Sequence, residues 1–172
     1  TRSHFGATTN GLCSGNSLVE ATAHGLAELI ERDCQSFATI ADTSLLVAPE
    51  SFPPVAAGLA GRVREAGLDL FVRAMPNEFG IPCVSAVVAE PRADDPLFIC
   101  GGYGCHPRPS IAIVRAICEA LQSRLSLIHG GRDDLTEVHA RRARMSPCER
   151  AADAARLIGA ASRPAGAIAY CD

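Results

Sequence analysis

Lysine is absent from this 172-residue chain, so all 16 of its Lys-plus-Arg positions are arginine. That excludes a Walker A phosphate loop, whose G-K-[ST] end requires a lysine on the phosphates. A G-x-G-x-x-G dinucleotide fingerprint is missing as well. No G-x-S-x-G elbow occurs and no cysteine sits in a protease-like setting, so no nucleophilic triad is legible. No apolar run approaches the roughly twenty residues that a membrane-spanning helix needs. Thr1 opens the chain without a signal-peptide pattern, which reads as a fragment or trimmed chain. The eight cysteines contain no C-x-x-C pair, and this spacing argues against zinc. Most lie in apolar runs such as FICGG and AICEAL, where a free thiol behaves as a small hydrophobe. Buried, reduced thiols and a cytoplasmic location are the expectation.

What is present describes an ordinary folded domain. The chain is 48% hydrophobic with a net charge of −3, long enough to bury about 70% of its unfolded surface. Arginines are scattered among 19 acidic residues, so no basic patch points to nucleic acid. The pattern predicts a strand over 4–14, a long helix from Ser17 to about Asp42, and a connection broken by Pro49, Pro53 and Pro54. A short helix follows from Pro54, with Gly67 as its C-cap. Strands are expected at 68–76, 83–91 and 97–104, the last with glycines that mark a close backbone approach. Helices over 110–128 and 146–161 complete the chain. Short turns between consecutive strands favour an α+β domain over 1–172, an antiparallel or mixed sheet layered with long amphipathic helices.

The richest stretch is Asn10 to Gln35, NGLCSGNSLVEATAHGLAELIERDCQ. Ser17 reads as N-cap with Glu20 at capping-box spacing. On a helix, Glu20, His24, Glu28, Glu31 and Gln35 share one sector of about a quarter turn, with Arg32 at its edge and Asn16 leading into it. Leu18, Val19, Leu26, Leu29, Ile30, Phe37 and Ile40 take the other side. The acidic line is either a solvated face or a hard-cation site suited to Mg²⁺, and the residues alone leave both open. In the second helix, Arg115, Glu119, Gln122 and Ser126 form a polar stripe opposite Ile113, Val114, Ile117, Leu121, Leu125 and Ile128. Arg115 and Glu119 are either an i,i+4 ion pair or groups for phosphate and metal. Between the helices, His106 in GGYGCHPRP reads as a turn residue or a general base. His24 reads as a charge balancer on the acidic stripe. Asp133 and Asp134 form a turn or bind metal, the turn being the plainer reading.

The run TNGLCSGNSLVEA…HGLAELIERD resembles the second half of a YcaO domain, the family that uses ATP to modify peptide backbones. GGYGCHPRPSIAIVRAICEALQSR, followed by GGRDDL, resembles that family's downstream Gly-rich strand and helix, in the same order. The two blocks cover roughly a third of the chain. The resemblance implies ATP and Mg²⁺ as cofactors. It assigns metal contacts to Glu20, Glu28 and Glu31, and nucleotide contacts to Asn16, Arg32, Arg115, Glu119 and Gln122. It implies O-phosphorylation of a backbone amide, giving azolines, or thioamides with a TfuA-like partner, on a ribosomally made peptide or protein. A homodimer remains open. The family's upstream lobe, with its own Ser-x-x-Glu-x-x-Glu-Arg helix, has no counterpart here, nor has its long C-terminal stretch. The chain therefore reads as a fragment of a larger YcaO-like domain, supplying part of the nucleotide site and inactive alone. The rival readings are a non-catalytic module that binds peptide or protein, and a structural domain whose acidic stripe faces water.

Overall fold

A computed structural model describes residues 8–91, 94–130 and 135–163. Helix α1 spans Leu18–Ile40, followed by a short strand β1 (Leu45–Leu46), α2 (Pro54–Glu65), β2 (Asp69–Ala74), β3 (Cys83–Ala89) and β4 (Ile99–Cys105). Three helices close the order: α3 (Pro109–His129), α4 (Leu135–Arg144) and α5 (Pro147–Ser162). The strands form one antiparallel sheet in the order β1-β2-β3-β4. This is an α+β fold, with helices on both faces of the sheet.

Alternation along the strands sorts the core into two. Val72, Ala74, Val84, Ala86, Val88 and Cys100 face α2 and α3, where Ala56, Ala60, Ala112, Ile113, Ala116, Ile117 and Ala120 meet them. Met75, Cys83, Tyr103 and Cys105 face the other way, against Ala27, Ile30, Cys34 and Ala38 of α1. α5 closes this second face near β2, where the buried Arg73 guanidinium donates to the carbonyls of Ala161 and Arg163 and to Ser44.

Glycine sets how closely α3 lies on the sheet. A Cβ on Gly102 would sit 2.2 Å from the Ala120 nitrogen, and one on Gly104 would sit 2.2 Å from the Ala112 carbonyl oxygen. Backbone therefore rests directly on backbone. The approach expected from the glycine run is real, and it belongs to Gly102 and Gly104; Gly101 has open space, its nearest contact being 3.9 Å away.

Several expectations change. Residues 8–14 are turn and loop, tied by a Leu12 to Thr9 backbone bond; the first part of the expected 4–14 strand lies outside the described residues. α1 ends at Ile40, two residues early. The 43–54 connection contains β1, and α4 had no forecast at all. Asp133 and Asp134 lie outside the described residues.

The larger correction concerns α1, whose apolar side, Ile30 excepted, does not pack on the sheet. Leu18 is 84%, Phe37 66% and Ile40 84% exposed, and Val19, Leu26 and Leu29 are exposed too. The buried positions are Gly25, Glu31 and Cys34. Small side chains let the helix lie flat against β3 and β4, and the acidic stripe goes in with them. A Cβ on Gly25 would meet the Gly11 carbonyl at 2.8 Å, so this glycine lets the 8–14 loop fold onto the helix. α3 shows a milder form of the same effect: Ile113 and Ile117 are fully buried, while Leu125 and Ile128 are exposed.

Candidate functional site

α1 and α3 lie on opposite faces of the sheet, yet they meet beyond its edge. β4 is the terminal strand, so both helices can reach past it. In an antiparallel strand, alternate residues turn N–H and C=O away from the partner. At β4 these groups belong to Tyr103 and Cys105, and α3 takes both. The Glu119 carboxylate accepts from the Tyr103 N–H, and Arg115 Nη1 donates to the Cys105 carbonyl at 3.4 Å. Arg115 and Glu119 thus engage the strand edge.

A cavity of about 460 Å³ opens there, lined by Glu28, Glu31 and Arg32 from α1 and by Arg115, Glu119 and Gln122 from α3. His24, Cys13, Tyr103 and Cys105 also line it. Of the eight residues singled out for metal and nucleotide, six converge on this cavity. Asn16 and Glu20 do not line it: the Glu20 carboxylate accepts from the Asn16 N–H at 2.8 Å and from Asn16 Nδ2 at 3.1 Å, at the exposed start of α1. Ser17 is the N-cap, accepting from the Glu20 N–H at 3.2 Å.

Within the cavity the groups are unequal. Glu28 Oε2 accepts from the Gly11 N–H at 3.1 Å and from the Cys13 thiol at 3.2 Å, which ties the 8–14 loop to α1. Its Oε1 is 3.7 Å from Arg32. Arg32 Nη1 also donates to Gln35 at 2.9 Å. Glu31 is 9% exposed. Burial first, and then the Glu119 carboxylate, push its pKa up to about 7, against the opposing pull of Arg32. Burial raises Glu119 too, with the Tyr103 N–H and Arg32 holding it back. Three carboxylates facing two guanidiniums in a half-dry cavity form a site short of positive charge.

Among the described residues, no three of His, Cys, Asp and Glu are gathered so as to hold a metal ion by themselves. The donor set still fits Mg²⁺, which is bound through one or two carboxylates and completes its shell with water and phosphate oxygens. His106 is outside the cavity lining. Its Nδ1 accepts from the Arg108 N–H at 2.9 Å, and burial followed by Arg115 lowers its pKa. The Arg108 contact is that of a turn residue, while the lowered pKa keeps the imidazole in the neutral form that a base requires. Cys13, Tyr103 and Cys105 also line the cavity, and nothing in the sequence marks them beyond their position inside the Gly-punctuated NGLCSG and GGYGC segments.

The family described as "YcaO cyclodehydratase, ATP-ad Mg2+-binding" matches residues 1–170. The chain belongs to the YcaO family. A relative from Rhizobium leguminosarum bv. trifolii, an uncharacterized protein in the tfuA 3′ region, is 39% identical over 77% of this chain and 34% of its own length. One from Methanothermobacter thermautotrophicus, also uncharacterized, is 36% identical over 76% of this chain and 34% of its own. The chain thus spans about a third of the length of these relatives. Among solved structures, YcaO from Methanopyrus kandleri bound with AMPPCP and Mg²⁺ shares the fold at a TM-score of 0.74 and 22% identity, over 96% of this chain and 42% of that one. The heterocyclase TruD matches at 0.62 with 29% identity, over 73% of this chain and 19% of that one. Among the described residues no helix is long and apolar enough to cross a membrane.

Proposed function

We propose that the cavity at the β4 edge holds the polyphosphate of ATP together with Mg²⁺, as part of an enzyme that activates a peptide-backbone amide. The observation that carries this reading is the convergence of two helices from opposite faces of the sheet, each bringing both carboxylate and guanidinium. Arg32 and Arg115 fork onto phosphate oxygens. Glu31, Glu28 and Glu119 would hold the cation, and Gln122 lines the same cavity. Asn16 and Glu20 reach the same ligand only after giving up the bonds they make to each other. ATP supplies the phosphoryl group and Mg²⁺ offsets its charge. Family membership supports the nucleotide, and cyclodehydratase relatives support azoline formation in general terms.

The finer chemistry belongs to the longer protein. A Cys, Ser or Thr side chain adds to the amide carbon and gives up its proton, the amide oxygen takes the terminal phosphoryl group of ATP with ADP leaving, and phosphate departs with loss of the amide N–H proton to leave an azoline. With sulfide and a TfuA-like partner the product is a thioamide, a variant in line with the tfuA setting of the Rhizobium relative. A ribosomally made peptide is the substrate in either case. Isothermal calorimetry with Mg²⁺-ATP, on this chain and on a full-length relative, tests the reading. Binding is expected at least in the longer protein, with loss on substituting Glu31→Gln or Arg115→Ala. Affinity unchanged by both substitutions overturns it, leaving a module that holds peptide without nucleotide.

A further inference from the structure

Cys83 and Cys105 stand directly opposite each other on β3 and β4. The Met75 N–H bonds to the Cys83 carbonyl, and the His106 N–H bonds to the Pro82 carbonyl. Cys83 therefore turns its backbone toward β2, and its pairing with Cys105 is of the non-hydrogen-bonded kind. Such pairs bring Cα atoms to about 4.5 Å, inside the window of about 4.4–6.8 Å that a disulfide spans. Both side chains point to the α1 face, and Cys83 donates its S–H to Cys105. Both are buried, Cys105 at 2% and Cys83 at 0% exposure, but Cys105 belongs to the cavity wall and Cys83 does not. A small oxidant in the cavity therefore reaches Cys105 first, with Cys83 beside it.

We propose that Cys83 and Cys105 form an oxidative modification site, closed to a disulfide by a hydroperoxide that enters through the nucleotide cavity. The Cys105 sulfur attacks one peroxide oxygen: an S–O bond forms, the O–O bond breaks, and the second oxygen leaves as water or alcohol. The Cys83 sulfur then attacks the Cys105 sulfenic acid. The S–S bond forms, the S–O bond breaks, and water departs with the Cys83 proton. Two thiols are oxidised by two electrons and one peroxide is reduced. The direct cross-strand register lets the bond close without backbone movement. Cys34 also touches Cys83, but it comes from α1 and is the competing partner. The coupling of this site to ATP rests on the function proposed above; the disulfide itself does not.

The test treats the full chain with hydrogen peroxide in slight excess, blocks residual thiols with iodoacetamide, and maps cysteines by non-reducing peptide mass spectrometry. A Cys83–Cys105 crosslink is expected as the main product. In Cys83→Ser, dimedone is expected to trap a sulfenic acid at Cys105; in Cys105→Ser, the loss of paired thiols disappears. Recovery of Cys83 and Cys105 as thiols while Cys118 and Cys148 oxidise overturns the proposal, as does a dominant Cys34–Cys83 bond. Repeating the reaction with Mg²⁺-ATP at a concentration shown by calorimetry to saturate the protein tests the coupling. Crosslinking about tenfold slower is expected because nucleotide covers Cys105, and an unchanged rate overturns that part. Absence of ATP binding with the crosslink intact removes the ATP reading and leaves the dithiol standing.

Discussion

Glu31 on α1 and Glu119 on α3 bring their carboxylates to one cavity from opposite faces of the sheet, and Glu119 works against the ionisation of Glu31. Burial is the first cause of the Glu31 shift to about 7, from 4.5 unperturbed, and Glu119 the second. Below the unfolded value Glu31 is protonated in both states and exacts nothing. As pH rises toward the folded value, the unfolded chain releases this proton and the folded chain keeps it, so stability falls. The fall is complete above about pH 7, where both states are ionised, and its size is of the order of 3 kcal/mol at about 1.4 kcal/mol per unit. Urea melts between pH 4.5 and 8 are expected to show this decline, with Glu31→Gln flattening it. A wild-type curve no steeper than that of the variant would remove the buried-carboxylate picture. Because binding a cation requires the ionised form, Mg²⁺ is expected to restore stability more at pH 8 than at pH 6.

The tight seating of α3 makes a second prediction. Ala at Gly102 or Gly104 drives a methyl group into the α3 backbone. Overpacking of this kind costs about 1–3 kcal/mol, and here the obstacle is main chain, which cannot rotate away. Lifting α3 also moves Arg115 and Glu119 off the β4 edge. Gly104→Ala is expected to lower both Tm and Mg²⁺-ATP affinity, whereas Gly101→Ala changes each little, since that site is open. Equal effects in the two variants would show that the helix is free to give.

Much of this architecture was readable from residue order, and the misses have causes. α3 was visible through its periodicity and α5 as an Ala-rich run, and α5 begins at Ser146 with a capping box closed by Glu149. α4 escaped because LTEVHARRAR carries only Leu135, Val138 and two alanines among its ten residues, too little apolar content to stand out. β1 is two residues long, too short for alternation to register. The polar stripes on α1 and α3 were correctly separated, but their meeting point depends on β4 ending the sheet, a property of strand order that no local pattern contains. α1 was read inside out for a related reason. Periodicity identifies which residues share a face, and assigning the apolar one to the interior assumes that the helix packs by its large side chains. This helix packs by Gly25, Ala27, Cys34 and Ala38, with Ile30 the one large side chain among them.

Glu28 carries two duties, and they can be separated. One oxygen holds the 8–14 loop through the Gly11 N–H and the Cys13 thiol; the cavity uses the rest. The Cys13 pKa is raised by burial first and then by its hydrogen bond to Glu28. Removing that carboxylate in Glu28→Ala lowers the Cys13 pKa toward its ordinary value and frees the loop. Faster alkylation of Cys13 at pH 8, and faster amide exchange at Gly11, are expected while the helical circular dichroism stays constant. Unchanged Cys13 reactivity would show that the loop is held by something else.

The inverted seating of α1 gives the sharpest test of the fold. If Leu26 and Phe37 were core residues, truncating either would cost several kcal/mol through lost burial and a cavity. In the structure both are exposed, and exposed positions away from special features shift stability by about 0.5 kcal/mol or less. Leu26→Ser and Phe37→Ser are therefore expected to melt within that margin of the parent chain. Ile113→Ala, at a fully buried position on α3, is expected to lose about 2–5 kcal/mol and serves as the positive control. Exposed apolar surface also lowers solubility, so the two serine variants are expected to remain monodisperse at higher concentration by light scattering. A loss of 2 kcal/mol or more in either serine variant, of the core-truncation size, would return the apolar face of α1 to the interior and turn its carboxylates away from the cavity.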